Sequence, residues 1–468
     1  MRFRRKSNDE GGAAVRRWFL NWGWIVVYGL VLAGSVLVIA ADGHEPIEES
    51  QADKITLTFR HFWIKEHDRQ MLSIVEDVVN EFQQSHPNVK VNFEGMDQTV
   101  HREQKLKSEM VTGTPPDMFV LFGGAEIEPY VRSNRLMDLT KFVDENGLQG
   151  EFQDLHLWTF NDRIYGLPIE GNAEPLYYNK EIFRELHLDP PQTLDQLNRA
   201  VRVIAASGIT PFALGNEERW PAAIFAHYLM DRYAGPELIN ELAQGDEDQS
   251  FVNPGYVQAF THLEEWIDQN AFSIPANDMS TEEAIELFTS GKAAMYLNGN
   301  WDINLFHNGK APAEFQNQVG VLPFPALTQD GEKSIAGGYT IGIGLSSNLD
   351  EAKLQPALEL LRAFYTDEVQ RRIVYEALRI PSMKISYDAK KTGPVFAQVT
   401  RLMEQSPPSF VPYDNVLSPE VNKTFLKVLE EMIDRGSSPE EALEQIEQTS
   451  DQYWRLRRSS APEESAWR

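Results

Sequence analysis

Apolar and polar residues alternate over residues 55–59, and the period then lengthens to that of a helix, with Met71, Ile74, Val75, Val78, Val79 and Phe82 on one stripe before Pro87. Val89, Val91 and Phe93 restore the alternation. Strand, helix and strand in that order predict a crossover unit, the opening of a parallel sheet with helices on its faces. The pattern recurs as a helix over residues 98–111, stopped by Gly113, and a buried strand over residues 117–122. Thr193 and Gln196 stand at capping-box spacing beside the stripe Leu194, Leu197, Ala200, Val201 and Ile204, and residues 209–214 follow as a strand. Ser280 and Glu283 repeat that spacing ahead of Ala284, Leu287 and Phe288; Gly291 ends the helix and residues 293–297 form the next strand. A helix over residues 256–270 is built on Val257, Phe260, Leu263, Trp266 and Ile267. Residues 319–324 read as a strand, and residues 335–345 alternate apolar side chains with glycine, which lets a backbone or a ligand come close. Helices over residues 351–365, 367–377, 394–404, 419–435 and 439–454 fill the remainder, with a polar tail behind them. The class is α/β.

At 468 residues the chain exceeds one hydrophobic core, so at least two domains are expected. Cysteine is absent. That removes disulfides, thiolate metal sites, a cysteine nucleophile and attachment through a lipidated cysteine. Charge is uneven: residues 1–17 hold six basic side chains against Asp9 and Glu10, a balance of +4 that leaves the rest of the chain at −31 of an overall −27. Such an acidic body repels phosphate backbones and excludes nucleic acid as the natural partner. Residues 18–41 form an apolar run whose one strongly polar member is Asn21. Basic residues before it and acidic ones after it put the body outside the membrane. Two readings stay open: a signal peptide cut at Ala41 behind the small residues Val38 and Ala40, or an uncleaved anchor, which the length of the run favours. Residues 42–54 are an acidic linker.

Candidate chemistry gathers where strands end, since open α/β sheets bind ligands beyond the carboxyl ends of their strands. His61 and Trp63 follow the first strand, Glu126 follows Gly123-Gly124, and Asn172 and Glu174 follow Gly166-Leu167-Pro168. Trp220 lies beyond residues 209–214, Asn300, Trp301 and Asp302 lie beyond residues 293–297, and Gly338 and Tyr339 open the glycine-rich strand. Core packing explains any one of these aromatics. Their shared position is the signal: flat apolar faces suit sugar rings, and amides and carboxylates suit their hydroxyls. A nucleophile elbow, a phosphate loop and a metalloprotease helix are absent, and His61 and His67 are six apart and share no helical face. No catalytic residue, cofactor or metal is therefore assigned.

The run Leu287-Phe288-Thr289-Ser290-Gly291-Lys292-Ala293-Ala294-Met295, followed by Gly299-Asn300-Trp301, resembles the extracellular solute-binding proteins of bacterial ABC importers, the family that includes maltose- and oligosaccharide-binding members. His86-Pro87-Asn88-Val89, Gly113-Thr114-Pro115-Pro116-Asp117, Gly166-Leu167-Pro168, Tyr177-Tyr178-Asn179-Lys180, Phe324-Pro325 and Gly337-Gly338 occur in that family's order. The resemblance spans about residues 54–454. It implies a two-lobed, periplasmic-binding-protein-like clamp of type II, with lobe 1 at residues 55–167 plus 335–388, lobe 2 at 168–334 plus 389–455, and a tail at 456–468. It also implies that Trp63, Asn172, Trp220, Trp301 and Tyr339 reach a ligand. The expected function is a monomeric, non-enzymatic protein on the extracellular face of the membrane, anchored or secreted. It would capture a sugar or oligosaccharide and hand it to an ABC transporter permease. A sensory subunit serving a membrane kinase and a glycoside-cleaving enzyme using loop carboxylates are the alternatives.

Overall fold

The computed structural model describes residues 54–307, 314–405 and 410–460. The segments 18–41 and 42–53, on which the export and linker readings fall, lie outside the described residues, as does 461–468. From Ile55 onward the chain forms one compact unit. Among the described residues no helix is long and apolar enough to cross a membrane.

Ten strands carry the fold: β1 (Ile55–His61), β2 (Val89–Gly95), β3 (Met118–Phe122), β4 (Leu167–Ala173), β5 (Leu176–Asn179), β6 (Thr210–Ala213), β7 (Ala293–Leu297), β8 (Val319–Leu322), β9 (Gly337–Leu345) and β10 (Ile380–Pro381). The helices needed below are α1 (Arg69–Ser85), α2 (Leu194–Ala206), α3 (Trp220–Ala234), α4 (Pro254–Asp268), α5 (Thr281–Thr289), α6 (Glu351–Phe364), α7 (Asp367–Tyr375), α8 (Pro394–Gln405), α9 (Pro419–Ile433) and α10 (Pro439–Ser460). One lobe is built on a six-stranded sheet of order β10-β4-β9-β3-β1-β2, the other on a four-stranded sheet of order β8-β5-β7-β6. The apolar stripe of α1 and the inner face of α6 close one core over β1 and β3. Helices α2, α3, α4 and α9 close the other over β6 and β7. A third cluster joins β7 and α5 to Val374, Ile380 and Phe396, so apolar packing ties the two lobes together on one side.

The expected parallel sheet holds where β1 pairs with β2 and β3. It then turns antiparallel, because β9 runs against both β3 and β4. The chain crosses between lobes later than residue 167: β4 pairs with β9 and β10 in the first sheet, β5 starts the second, and only Glu174 and Pro175 lie between. Residues 168–173, expected in lobe 2, are thus a strand of lobe 1. The helix expected over residues 98–111 begins as a π-helical stretch at Val100–Leu106 before Lys107–Thr112, and Gly113 ends it at φ +81°. Trp220 opens α3 instead of standing in a loop. That helix is apolar nearly all round and buried, so it lacks the one-sided stripe that periodicity detects. The tail expected from residue 456 begins later, since α10 continues to Ser460.

Helix α5 starts on a complete capping box: Ser280 Oγ accepts the Glu283 N–H at 3.2 Å, and the Ser280 N–H donates to Glu283 Oε2 at 2.9 Å. At α2 half of that motif forms, because Gln196 Oε1 accepts from the Gln192 N–H instead of returning to Thr193. Gly215 keeps the start of α5 close, since a Cβ there would lie 2.1 Å from the Ser280 carbonyl oxygen. Ser280→Ala is expected to destabilise the protein by about 1 kcal/mol, read as a lower urea midpoint with an unchanged slope.

Candidate functional site

A cleft of about 1220 Å³, its open mouth included, runs between the lobes. Its floor comes from β4. Glu170 and Asn172, two residues apart on that strand, present their side chains on one face. Arg379, just before β10, is buried under them, with Nη2 2.7 Å from Asp68 Oδ1 and Nε 3.5 Å from Glu170 Oε2. Burial pushes the Glu170 carboxyl up in pKa, and Arg379 opposes that only in part. Asn172 Nδ2 donates to Thr340 Oγ1 at 3.0 Å, while its Oδ1 is buried without a hydrogen-bond partner in the protein. Beside the floor, His227 Nε2 lies 3.0 Å from Glu174 Oε2. Burial and the neighbouring Glu174 raise the Asp414 carboxyl to about 6.

One wall is aromatic. Arg219, at φ +69°, turns the chain into α3, and Asn216 Oδ1 accepts the Ala222 N–H at 3.0 Å. Trp220 therefore stands at the helix start, where its indole N–H donates to Glu218 Oε2 at 2.7 Å. Enclosure in the cleft pushes the Glu218 carboxyl up; Glu282 and Asp97 add to this, and the indole N–H and His67 oppose it. Trp301 meets Trp220 edge to face, with centroids 6.0 Å apart at 63°. Its ring lies over Gly299, where a Cβ would fall 2.2 Å from three ring atoms. The opposite wall carries Arg102, held 3.6 Å over the Phe122 ring and paired with Glu126.

His67, in the loop after β1, reaches across to the other lobe. Its Nδ1 lies 3.2 Å from Glu282 Oε1 and its Nε2 3.0 Å from Asp302 Oδ1. Burial alone would lower its pKa, but the bonds to Asp302 and Glu282 raise it well above 6.5, so the imidazole is a cation between two carboxylates. Among the described residues no group of three or more His, Asp or Glu side chains is placed to hold a metal ion.

The family profile of the bacterial extracellular solute-binding proteins matches residues 67–371. The chain belongs to that family. An ABC transporter extracellular-binding protein of Pyrococcus horikoshii is 25% identical over 313 residues, covering 65% of this chain and 68% of that protein. The multiple sugar-binding protein of Streptococcus mutans is 22% identical over 340 residues, covering 70% and 73%. The solved structure of a chitin oligosaccharide binding protein superposes with a TM-score of 0.82 at 29% identity, over 86% of this chain and 99% of that one. The fold is thus the type II clamp of periplasmic sugar-binding proteins, and the cleft is where a solute-binding protein encloses its solute.

Of the residues singled out in the sequence, Trp63, Asn172, Glu174, Trp220 and Trp301 line this cleft. Trp63 does so from a buried position, 1% exposed. The others do not line it. His61 is stacked on Phe93 at 4.1 Å in the lobe 1 core, and burial lowers its pKa to about 4. Glu126 positions Arg102, because the short turn after β3 points it at the π-helical stretch. Asn300 pins its own loop, accepting the Ala173 N–H at 2.8 Å. Asp302 is fully buried, accepting from the Tyr296 hydroxyl at 2.6 Å and facing His67. Gly338 is a backbone partner of Asn172 in the sheet. Tyr339 lies against Gly171 on the opposite face of β4, because a bulge between Gly338 and Ile341 shifts the register. The reading missed His67, Asp68, Glu170, Glu218, Glu282, Arg379 and Asp414. Glu170 was legible, two residues before Asn172 on one strand. Arg379 and Asp414 come from distant segments with no local signal.

A histidine whose pKa is raised in the folded state stabilises fully below its unfolded value of about 6.5, and the contribution fades as pH rises through the folded value. The stability gap between the wild type and His67→Gln is therefore expected to be widest near about pH 6 and to narrow as the pH rises through the raised folded value, followed by urea midpoints measured at increasing pH.

Proposed function

We propose that this solute-binding protein captures a sugar or oligosaccharide in the interlobe cleft and delivers it to an ABC importer. The observation that carries the reading is the half-buried Trp220–Trp301 pair sharing one cleft with the unpaired Asn172 Oδ1 and the buried Glu170. Rings supply the flat apolar faces that stack on a pyranose, and unpaired acceptors take its hydroxyl protons. The names of relatives agree: besides the multiple sugar-binding protein, a melibiose/raffinose/stachyose-binding protein of Bacillus subtilis is 25% identical over 350 residues. The protein binds without turnover. The carboxylates of the cleft hold cations and orient the ligand; they do not cleave it. Closure is a population shift, since a ligand that touches both lobes favours the closed form by its extra contacts there.

In this reading residues 18–41 direct export and the acidic body works outside the cell, secreted or anchored according to whether that run is cut. A single chain suffices, because both walls of the cleft come from it. Trp301→Ala is expected to weaken sugar binding by about 2 kcal/mol, near thirtyfold, in calorimetry with a sugar first identified by thermal-shift screening. The far-UV spectrum should stay that of the wild type. Unchanged affinity in the variant, or cleaved products after prolonged incubation of the wild type, would overturn the proposal.

A further inference from the structure

Charge in the cleft is out of balance, and each cation that lines it is already committed. Arg379 is shared by Asp68 and Glu170. Arg102 is taken by Glu126. His67 lies between Glu282 and Asp302. Two of these three groups keep a net negative charge after pairing, and none has a cation to spare. Glu218 and Asp97 also line the cleft, and neither forms an ion pair with Arg, Lys or His among the described residues. Glu218 is exposed in the cleft, its carboxylate hydrogen-bonded to the Trp220 indole N–H, so a negative charge stands at the edge of the aromatic wall.

A neutral sugar would accept these carboxylates as hydrogen-bond partners but would leave their mutual repulsion in place. A cationic one would relieve it. The floor supplies an independent indication of what the ligand must offer. Asn172, 8% exposed in the lining of the cleft, gives an N–H to Thr340 and keeps its Oδ1 as a buried acceptor without a hydrogen bond. Glu170, 2% exposed, likewise keeps Oε2 without a hydrogen bond. Both call for donors, and an ammonium group is all donor, with three N–H bonds.

We infer, on the sugar-binding reading above, that the natural ligand is an amino sugar oligosaccharide with free, protonated amines, its rings on Trp220 and Trp301 and an ammonium group received by Glu218 and Glu282. N-acetylation removes the charge and adds bulk at the same atom, so an acetylated sugar loses this contact. The −31 balance of the chain beyond residue 17 acts in the same direction, drawing a cationic ligand towards the cleft at low ionic strength.

The test is calorimetry on the full-length protein with a glucosamine trimer, its fully N-acetylated counterpart and cellotriose, whose ring hydroxyls replace the amines. The glucosamine trimer is expected to bind at least about tenfold more tightly than cellotriose at low salt. That ratio should shrink severalfold in about 0.5 M salt, where surface charges are screened, and severalfold again in Glu218→Gln. Binding of cellotriose or the acetylated trimer as tightly as the glucosamine trimer overturns the inference and leaves the sugar-binding reading standing. A preference for the amine that survives both salt and Glu218→Gln overturns the assigned carboxylates. Failure of all three sugars, and of a wider neutral panel, to bind overturns both readings together.

Discussion

One hydrogen bond fixes the relation between the floor of the cleft and its aromatic wall. The Ala173 N–H, at the end of β4, donates to Asn300 Oδ1 at 2.8 Å, and both groups are buried. β4 belongs to one sheet, whereas Asn300 follows β7, an inner strand of the other. Asn298 to Asp302 are then held on every side. The Tyr177 hydroxyl donates to the Gly299 carbonyl, Asn298 Oδ1 accepts the Gly299 N–H, and Asp302 accepts from Tyr296. With the loop fixed, the Trp301 ring has one place to lie, flat over a residue that has no side chain. The space left by the missing Gly299 side chain is taken by the protein's own indole. An unpaired buried donor costs about 1–3 kcal/mol, so a loop that released Ala173 would lose more than a surface contact.

The same loop connects recognition to closure. Asp302 is one of the two carboxylates that hold His67, and His67 belongs to the other lobe. The residue after the stacking tryptophan therefore helps hold the lobes together, and its charge is needed inside because an imidazolium sits against it. Glu282, the second carboxylate, lies in the first turn of α5, whose start is fixed by the capping box and by the approach of Gly215. A helix N-terminus also favours a negative side chain there. Local helix chemistry and interlobe contact thus act on one residue.

Much of the scaffold was readable because local signals agree with the tertiary outcome. Alternation gave β1 and β2, the Ser280 and Glu283 spacing gave α5, and residues 293–297 gave β7 with its ends. The errors have physical causes. A mixed sheet hides its antiparallel half, since strand direction leaves no trace in the apolar pattern. Helix α3 is buried all round and so shows no stripe. Tyr339 and Ile341 share parity along β9 and would share a face in a regular strand; the bulge between Gly338 and Ile341 separates them. At the site, tryptophans were found by their place after strands, and Glu174 and Asp302 with them, but Asp68, Glu170, Glu218, Glu282, Arg379 and Asp414, which also set the charge of the cleft, were not. Arg379 and Asp414 reach it only through the tertiary fold, and His61 was chosen over His67 although one faces the core and the other the far lobe.

Charge and packing divide the work of the cleft between them. The wall of Trp220 and Trp301 gains from any ring with an apolar face, so it sets how strongly a saccharide is held without setting which one. Discrimination then falls to the buried polar atoms, where a missing partner is costly. Asn172 gives an N–H to Thr340 and keeps a free acceptor; Glu170 and Glu218 are acceptors as well when ionised. Of the buried lining atoms without a hydrogen bond, Asn172 Oδ1, Glu170 Oε2, Glu174 Oε2 and Asn422 Oδ1 are acceptors, against the donors Trp63 Nε1 and Arg379 Nε. Acceptors prevail, so the site disfavours ligands rich in acceptors of their own, such as carboxylated sugars, by repulsion as well as by lost bonds. The acidic surface extends that exclusion outward, and the committed states of Arg102, Arg379 and His67 leave no cation to reverse it.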